Sequence, residues 1–229
     1  MHEKLIRPGL FATPIAADTE RMCYDFHNDA VLSLGVKPDF VFIGDSITQF
    51  WDLPLFFGRE KLLINRGIGG DVPQYILKRF AADVLQLKPE YCVFMAGTNC
   101  SHDLEDNPWL GMKGRDFDTV TKETIDAIIA VISCSLEAGQ KMIVGSIPPA
   151  IVPAADRRNE MIPIVNSAVC EYCKEKDIPF VDYYSALVDP QTKMMRAEYT
   201  TDGIHPDSRG FKVLTKVLRD TLKTYNIDI

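Results

Sequence analysis

The chain has 229 residues, 46% of them hydrophobic and 25% charged, with a formal net charge of −7. This is the composition of a soluble globular protein, long enough for one large α/β domain. The negative charge argues against non-specific nucleic-acid binding, which needs a basic surface to displace counterions from phosphates. No apolar run approaches the roughly 20 residues of a membrane span. The opening stretch MHEKLIRPGLFATP lacks the apolar core of a secretory signal, and the reading from sequence is a cytoplasmic protein.

In chain order, a helix around Arg21 to Leu34 leads into the first of five short apolar runs: FVFIG (40–44), KLLINRG (61–67), YCVFMAG (91–97), KMIVGSI (141–147) and PFVDYY (179–184). Each is strand-length and near-continuous rather than alternating, as in strands buried on both faces. Helical patterns separate most of them. Over 73–87, Ile76, Leu77, Phe80, Val84 and Leu87 share a face, and Pro73 suits a first helical turn. Over 118–139, Ile125, Ile128, Ile129 and Ile132 recur at helical spacing, and Gly139 suits the residue just past a helix end. Further helices are expected over 157–177, despite Pro163, and over 208–225.

Strand alternating with helix predicts a parallel sheet covered on both faces, with right-handed crossovers. Five strands fit a doubly wound sheet of order 2-1-3-4-5 better than a barrel. The fold class is therefore a three-layer α/β/α sandwich, flavodoxin-like. No repeat or Gly/Ser-rich linker divides the chain, so one domain over 1–229 is expected, with residues ~1–36 as a leading segment. Ligands of such sheets bind at the carboxyl ends of the strands, where strand order reverses. That directs attention to GDSIT, NRGIGGDV, AGTNC and GSIPPA.

The six cysteines (23, 92, 100, 134, 170 and 173) do not form a small disulfide framework in a chain this long. Cys170 and Cys173 make a lone C-x-x-C in mid-helix. A zinc site would want a second pair and a redox motif would open a helix, so these read as two reduced helical thiols.

Ser46, in GDSIT, follows the first strand. A serine nucleophile needs a base in reach, a group that orients the base, and donors for the oxyanion. The chain has four histidines, and His205 lies in TTDGIHPDSRG, three residues after Asp202. One turn of chain lets Asp202 fold back on one ring nitrogen and leaves the other for a nucleophile. Taken alone the pair is also what a helix-start loop looks like, with Asp207 or Ser208 as N-cap. NRGIGGDV is a tight strand-to-helix turn or a phosphate cradle. It is neither G-x-G-x-x-G nor a P-loop with its lysine. Asn99, in AGTNC, could donate a side-chain N–H to an oxyanion.

The ordered set Ser46, Gly70, Asn99 and Asp202-x-x-His205 resembles the SGNH, or GDSL, hydrolase family, and the resemblance runs from the first strand to the last helix. GDSIT resembles the nucleophile block, NRGIGGD the glycine block, GTNC the G-x-N-D block and DGIHPD the D-x-x-H block. KPDFVFIGDSITQFW and VDYYSALVD…TTDGIHP look like the branch of platelet-activating-factor acetylhydrolase subunits and bacterial acyl esterases. The resemblance implies Ser46 as nucleophile, His205 as base then acid, and Asp202 as its orienter. It implies an oxyanion hole from Ser46 N–H, Gly70 N–H and the Asn99 amide. It implies no metal or organic cofactor, and a serine esterase cleaving short acyl esters, acetyl foremost, of a carbohydrate or lipid. Some relatives in this branch pair, so a homodimer is compatible with it.

One departure stands out. Cys100 occupies the position where the family has Asp, and Asp103 is a candidate replacement as a hydrogen-bond acceptor for that loop. Cys100 as a reactive thiol is disfavoured, since nothing in the sequence supplies a positive surround. Phe50 and Trp51, with Leu55, Phe56 and Phe57, could line a substrate pocket or pack a short helix on the sheet. Trp109, in the 101–116 loop, could shape access. Two alternatives from other classes are a catalytically silent carbohydrate-binding module and a phosphate-binding enzyme. The second lacks a visible carboxylate cluster or Arg/Lys clamp.

Overall fold

The computed structural model describes residues 16–106, 113–152 and 157–229. Its centre is a five-stranded parallel sheet of order β2-β1-β3-β4-β5. The strands are β1 (Phe40–Gly44), β2 (Leu63–Gly67), β3 (Tyr91–Met95), β4 (Met142–Gly145) and β5 (Phe180–Val181). β1 pairs β2 on one side and β3 on the other, in register from Phe40 to Gly44. Chain order therefore reverses on either side of β1, and Ser46 follows it directly.

The helices are α1 (Ala16–Ser33), α2 (Ser46–Gln49), α3 (Leu53–Phe57), α4 (Pro73–Asp83), α5 (Phe117–Glu137), α6 (Arg158–Glu175), α7 (Tyr183–Leu187) and α8 (Ser208–Thr224). Side chains alternate across the sheet because the strand period is two. Val41, Ile43, Phe94 and Val144 face one layer, where Ile76 and Phe80 of α4, Ile128 and Ile132 of α5, and Val165 of α6 cover them. Phe40, Phe42, Val93, Met95 and Ile143 face the other, under Trp51, Leu187 and Phe211, Leu214 and Leu218 of α8. Two apolar layers on one sheet make the expected α/β/α sandwich. No helix among the described residues is long and apolar enough to cross a membrane.

At three places a cap or a turn sets a boundary other than the one expected from sequence. The run 179–184 is strand only at Phe180–Val181, because Asp182 caps α7 by accepting from Ser185 N at 3.0 Å. The helix expected over 73–87 ends at Asp83. A 3-10 turn over Leu85–Leu87 follows, and Lys88 leaves it in the left-handed region at φ 49°. GDSIT is not a bare loop: Asp45 caps α2 by accepting from Ile47 N at 3.0 Å.

Candidate active site

The cap just described starts the chemistry. Asp45 holds extended backbone at φ −90°, and α2 begins at Ser46, so the hydroxyl is presented where a buried strand turns into a helix. The side chain is half-buried. At the start of the last helix, Asp207 caps α8 by accepting from Arg209 N at 2.8 Å and Gly210 N at 3.2 Å. The helix-start reading of DGIHPD therefore holds as well, at the residues next to His205. The loop before that cap is pinned from both sides: Gly203 N donates to Thr200 Oγ1 at 3.0 Å, and Ile151 N donates to Gly203 O at 2.6 Å.

These two ends meet. His205 Nε2 lies 2.8 Å from Ser46 Oγ, and His205 Nδ1 lies 2.6 Å from Asp202 Oδ2. Asp202 Oδ1 accepts from the backbone N–H of Ile204 at 2.9 Å and of His205 at 2.8 Å. Partial burial works to raise the Asp202 pKa. The His205 ring hydrogen bond and the two backbone donors outweigh it and hold the carboxyl well below the usual carboxylate range. An ionised Asp202 accepts only, so His205 Nδ1 carries the proton and Nε2 is left to accept from Ser46.

The glycine block follows β2 and lies over Ser46. A methyl on Gly69 would stand 3.8 Å from Ser46 Cβ. Gly70 has φ +76°, a left-handed conformation that glycine enters without strain. Asn99 lies in a 3-10 turn over Thr98–Leu104, and its amide Nδ2 donates to Asp71 O at 2.8 Å, joining the loop after β3 to the glycine loop. Among the described residues, the N–H groups of Ser46 and Gly70 and the second amide hydrogen of Asn99 have no acceptor.

Beneath the site lies a buried polar cluster not anticipated from sequence. Arg79, fully buried on α4, donates to Asp71 Oδ2 at 2.8 Å, Asp83 Oδ2 at 3.0 Å, Arg66 O at 2.9 Å and Gly44 O at 3.1 Å. One guanidinium thus ties the ends of β1 and β2 to the glycine loop. Asn28 of α1 joins the cluster by accepting from Arg66 Nη2 at 2.7 Å. A signal for this existed: residues 76, 79, 80 and 83 form one helical face, and two of the four are charged. Asp45 is also buried, and its Oδ2 has no hydrogen-bond partner. Burial pushes its pKa up to about 7, against the Ile47 N–H bond that lowers it, with the Asp71 charge adding to the rise.

The substrate-pocket residues separate. Phe50 is exposed and its ring lies edge-on to His205, with centroids 5.1 Å apart. Trp51 turns inward instead. It is 2% exposed, packs on Phe42, Phe57, Tyr183 and Phe211, and donates from Nε1 to Thr215 Oγ1 at 3.2 Å. Turning into the core takes the large indole away from the exposed face that Phe50 occupies. Trp109 lies outside the described residues. Asp103 does not replace the missing acidic residue after Asn99. Its carboxylate pairs with exposed Arg115 Nη1 at 2.8 Å, because the 3-10 turn has carried it to the surface. Cys100 is buried, and burial pushes its thiol up to about 12, which leaves it protonated and unreactive.

Residues 42–213 match the model of the GDSL-like lipase/acylhydrolase family. The chain belongs to that family. It is accordingly a carboxylic ester hydrolase. Comparison with curated proteins found no match. Among solved structures, this GDSL hydrolase is similar to a presumed acylhydrolase from Bacteroides fragilis NCTC 9343, with 29% identity and TM-score 0.74, over 90% of this chain and 97% of that one. It is similar to a GDSL-like lipase from Bacteroides thetaiotaomicron VPI-5482, with 26% identity and TM-score 0.71, over 90% and 98%. It shares the fold of Axe2, an acetylxylan esterase from Geobacillus stearothermophilus, with 18% identity and TM-score 0.65, over 81% and 94%.

Proposed function

We propose that this hydrolase is a serine esterase that cleaves short acyl esters, acetyl foremost, of a carbohydrate or lipid through an acyl-enzyme. The observation that carries the reading is the continuous relay from Ser46 Oγ through the His205 ring to the Asp202 carboxylate, at 2.8 and 2.6 Å. Both distances are within hydrogen-bond reach for proton transfer.

In the first half-reaction His205 Nε2 takes the Ser46 proton as Oγ attacks the ester carbonyl. The charge that develops on the carbonyl oxygen needs fixed donors, and the free N–H groups of Ser46, Gly70 and Asn99 are suited to supply them. His205 then gives its proton to the departing alcohol. In the second half a water, deprotonated by the same nitrogen, attacks the acyl-serine; the C–Oγ bond breaks, His205 returns the proton to Ser46 Oγ and the acid leaves. Asp202 keeps the ring in the tautomer each step requires and stabilises the imidazolium.

The similarity to an acetylxylan esterase supports a short acyl group, and exposed Phe50 beside His205 supports an apolar contact with the substrate. An assembled relay weighs against a silent carbohydrate-binding module, which has no use for a histidine bonded to an ionised aspartate and a hydroxyl. The test is a panel of p-nitrophenyl esters, acetylated sugars and lysophospholipids with wild type and S46A. The expected result is hydrolysis of acetyl esters that S46A abolishes while remaining folded. A folded S46A protein at full rate overturns the reading.

A further inference from the structure

We infer that Gln49 is a positioning residue that holds the glycine loop in register with Ser46, and that Glu20 of α1 fixes the orientation of its amide. What that register is for rests on the serine-esterase reading above.

Gln49 is the last residue of α2, one turn beyond Ser46. Its Oε1 accepts from Gly69 N at 2.7 Å, and its Nε2 donates to Glu20 Oε2. A carboxylate can only accept, so Glu20 selects the amide orientation in which the oxygen faces Gly69. The bridge spans 20 residues towards the glycine loop and 29 towards α1. Glu20 precedes the segment matched by the family model.

Arg79 and Asn99 hold the loop at Asp71, and the strand end holds it at Gly67, but the Gly69–Gly70 pair between them needs its own tie. Up to Gly67 the chain is fastened: Gly67 N donates to Asn65 Oδ1 at 2.8 Å, Tyr24 Oη donates to Gly67 O, and Asn65 Nδ2 donates to Thr48 O at 2.7 Å. Gly67 itself has no room for a side chain, since a Cβ there would come within 2.1 Å of Gln49 N. Beyond it, Ile68 N donates to Gly44 O at 3.0 Å and Asp71 N to Ile68 O at 3.2 Å. Between those points Gly69 and Gly70 have no side chains to pack. Among the described residues, the Gln49 amide is the side chain that fastens this pair to the nucleophile helix. Gly70 is the next donor along, so a shift of Gly69 carries its N–H with it.

An oxyanion donor acts on charge that appears in the transition state. Misplacing one lowers kcat rather than raising KM. A bridge that merely stabilised the fold would lower the melting temperature and leave kcat of the folded fraction intact.

The experiment measures kcat and KM on p-nitrophenyl acetate for full-length wild type, S46A, Q49A, Q49E and the swap Q49E/E20Q. Melting temperatures and hydrogen exchange of the peptide covering 67–72 accompany the kinetics. The Q49A variant is expected to lose about 10- to 100-fold in kcat, with KM within about twofold, as for a displaced transition-state contact. Its 67–72 peptide is expected to exchange faster. Q49E sets two carboxylates against each other and is expected to fall as well. The swap moves the carboxylate to α2, where it accepts from Gly69 and from the new amide on α1. It is expected to recover kcat to within about threefold of wild type, as a rebuilt bridge should. The inference is overturned if Q49A keeps kcat within about threefold, if its loss lies in KM alone, or if the swap does no better than Q49E. Unchanged exchange at 67–72 in Q49A also overturns it. The exchange arm does not depend on the chemistry, so an S46A protein at full rate would refute the esterase reading and leave the bridge to be judged separately.

Discussion

Asp202 offers a test in which two substitutions at one position separate orientation from charge. Its side chain is 53% exposed, yet each oxygen has a fixed task. Oδ1 accepts two backbone N–H groups, from Ile204 and His205, and Oδ2 accepts from His205 Nδ1. In D202N the two backbone donors keep the amide oxygen at the Oδ1 position, so the amide nitrogen must face the ring. Two donors cannot face each other, and His205 moves its proton to Nε2. There it meets Ser46 as a donor and can no longer act as a base. In D202A the half-exposed gap admits water, which accepts from Nδ1 and preserves the working tautomer, though without the charge. D202N is therefore expected to lose about 10³- to 10⁴-fold in kcat/KM, equivalent to about 4–5 kcal/mol of transition-state stabilisation. D202A is expected to lose about tenfold less than D202N, as for an orienting charge replaced by solvent. The assay is kcat/KM on p-nitrophenyl acetate near pH 8, with melting curves to confirm folding. D202A falling as far as D202N, or D202N staying within about tenfold of wild type, would refute the tautomer argument.

Two further predictions concern what lies under the site. Asp45 has a folded pKa raised from 3.8 to about 7, so the fold holds its proton while the unfolded chain loses it between about pH 4 and pH 7. Its contribution to stability is best below pH 4 and falls as pH rises through 7. D45N keeps the Oδ1 cap on Ile47 and removes this titration, and unfolding should show its stability relative to wild type growing by up to about 4 kcal/mol between pH 4 and pH 8. A difference that does not vary with pH would contradict it. R79M takes the buried guanidinium from Asp71 and leaves Asp83 with only Arg21 at 3.7 Å and Asn28 at 3.2 Å; it is expected to cost about 3–5 kcal/mol in urea denaturation, with R79K also damaging because an ammonium lacks the guanidinium fork. A loss below about 1 kcal/mol would show that the cluster relaxes without Arg79.

What could be read from sequence was local. GDSIT, the glycine block and Asp202-x-x-His205 are short-range patterns at strand ends or before a helix, and strand order followed from the alternation of elements. What could not be read depended on direction or distance. Phe50 and Trp51 are neighbours in sequence and similar in chemistry. One is exposed against His205 and the other fills the core, because consecutive residues leaving α2 point to different sides. Asp103 is near Asn99 in sequence, but a 3-10 turn sends it to Arg115. The Gln49 bridge joins positions 20, 49 and 69, and no window of local pattern contains all three. Arg79 was legible in principle as a charge on an apolar helical face, and it is that placement which signals a buried partner rather than a solvated surface.

The two halves of the site are fastened differently, and the proposed chemistry explains why. The Ser46 and glycine-loop half rests on Arg79, Asn65 and Gln49, with the arginine fully buried and donating to both strand ends. The Asp202–His205 half sits on a half-exposed loop held by Thr200, by Ile151 and by the cap of α8. Oxyanion donors act by standing where charge will appear, and they have no second chance to adjust during the reaction. In the proposed reaction, a base that receives a proton from Ser46, delivers it to an alcohol and then serves a water faces three partners in turn. Some freedom in its ring costs little, provided the tautomer is held, and Asp202 with its two backbone donors supplies that. Rigidity is therefore concentrated under the nucleophile and its glycine loop, and substitutions there should move kcat more sharply for a given loss of stability than substitutions in the loop that carries the histidine.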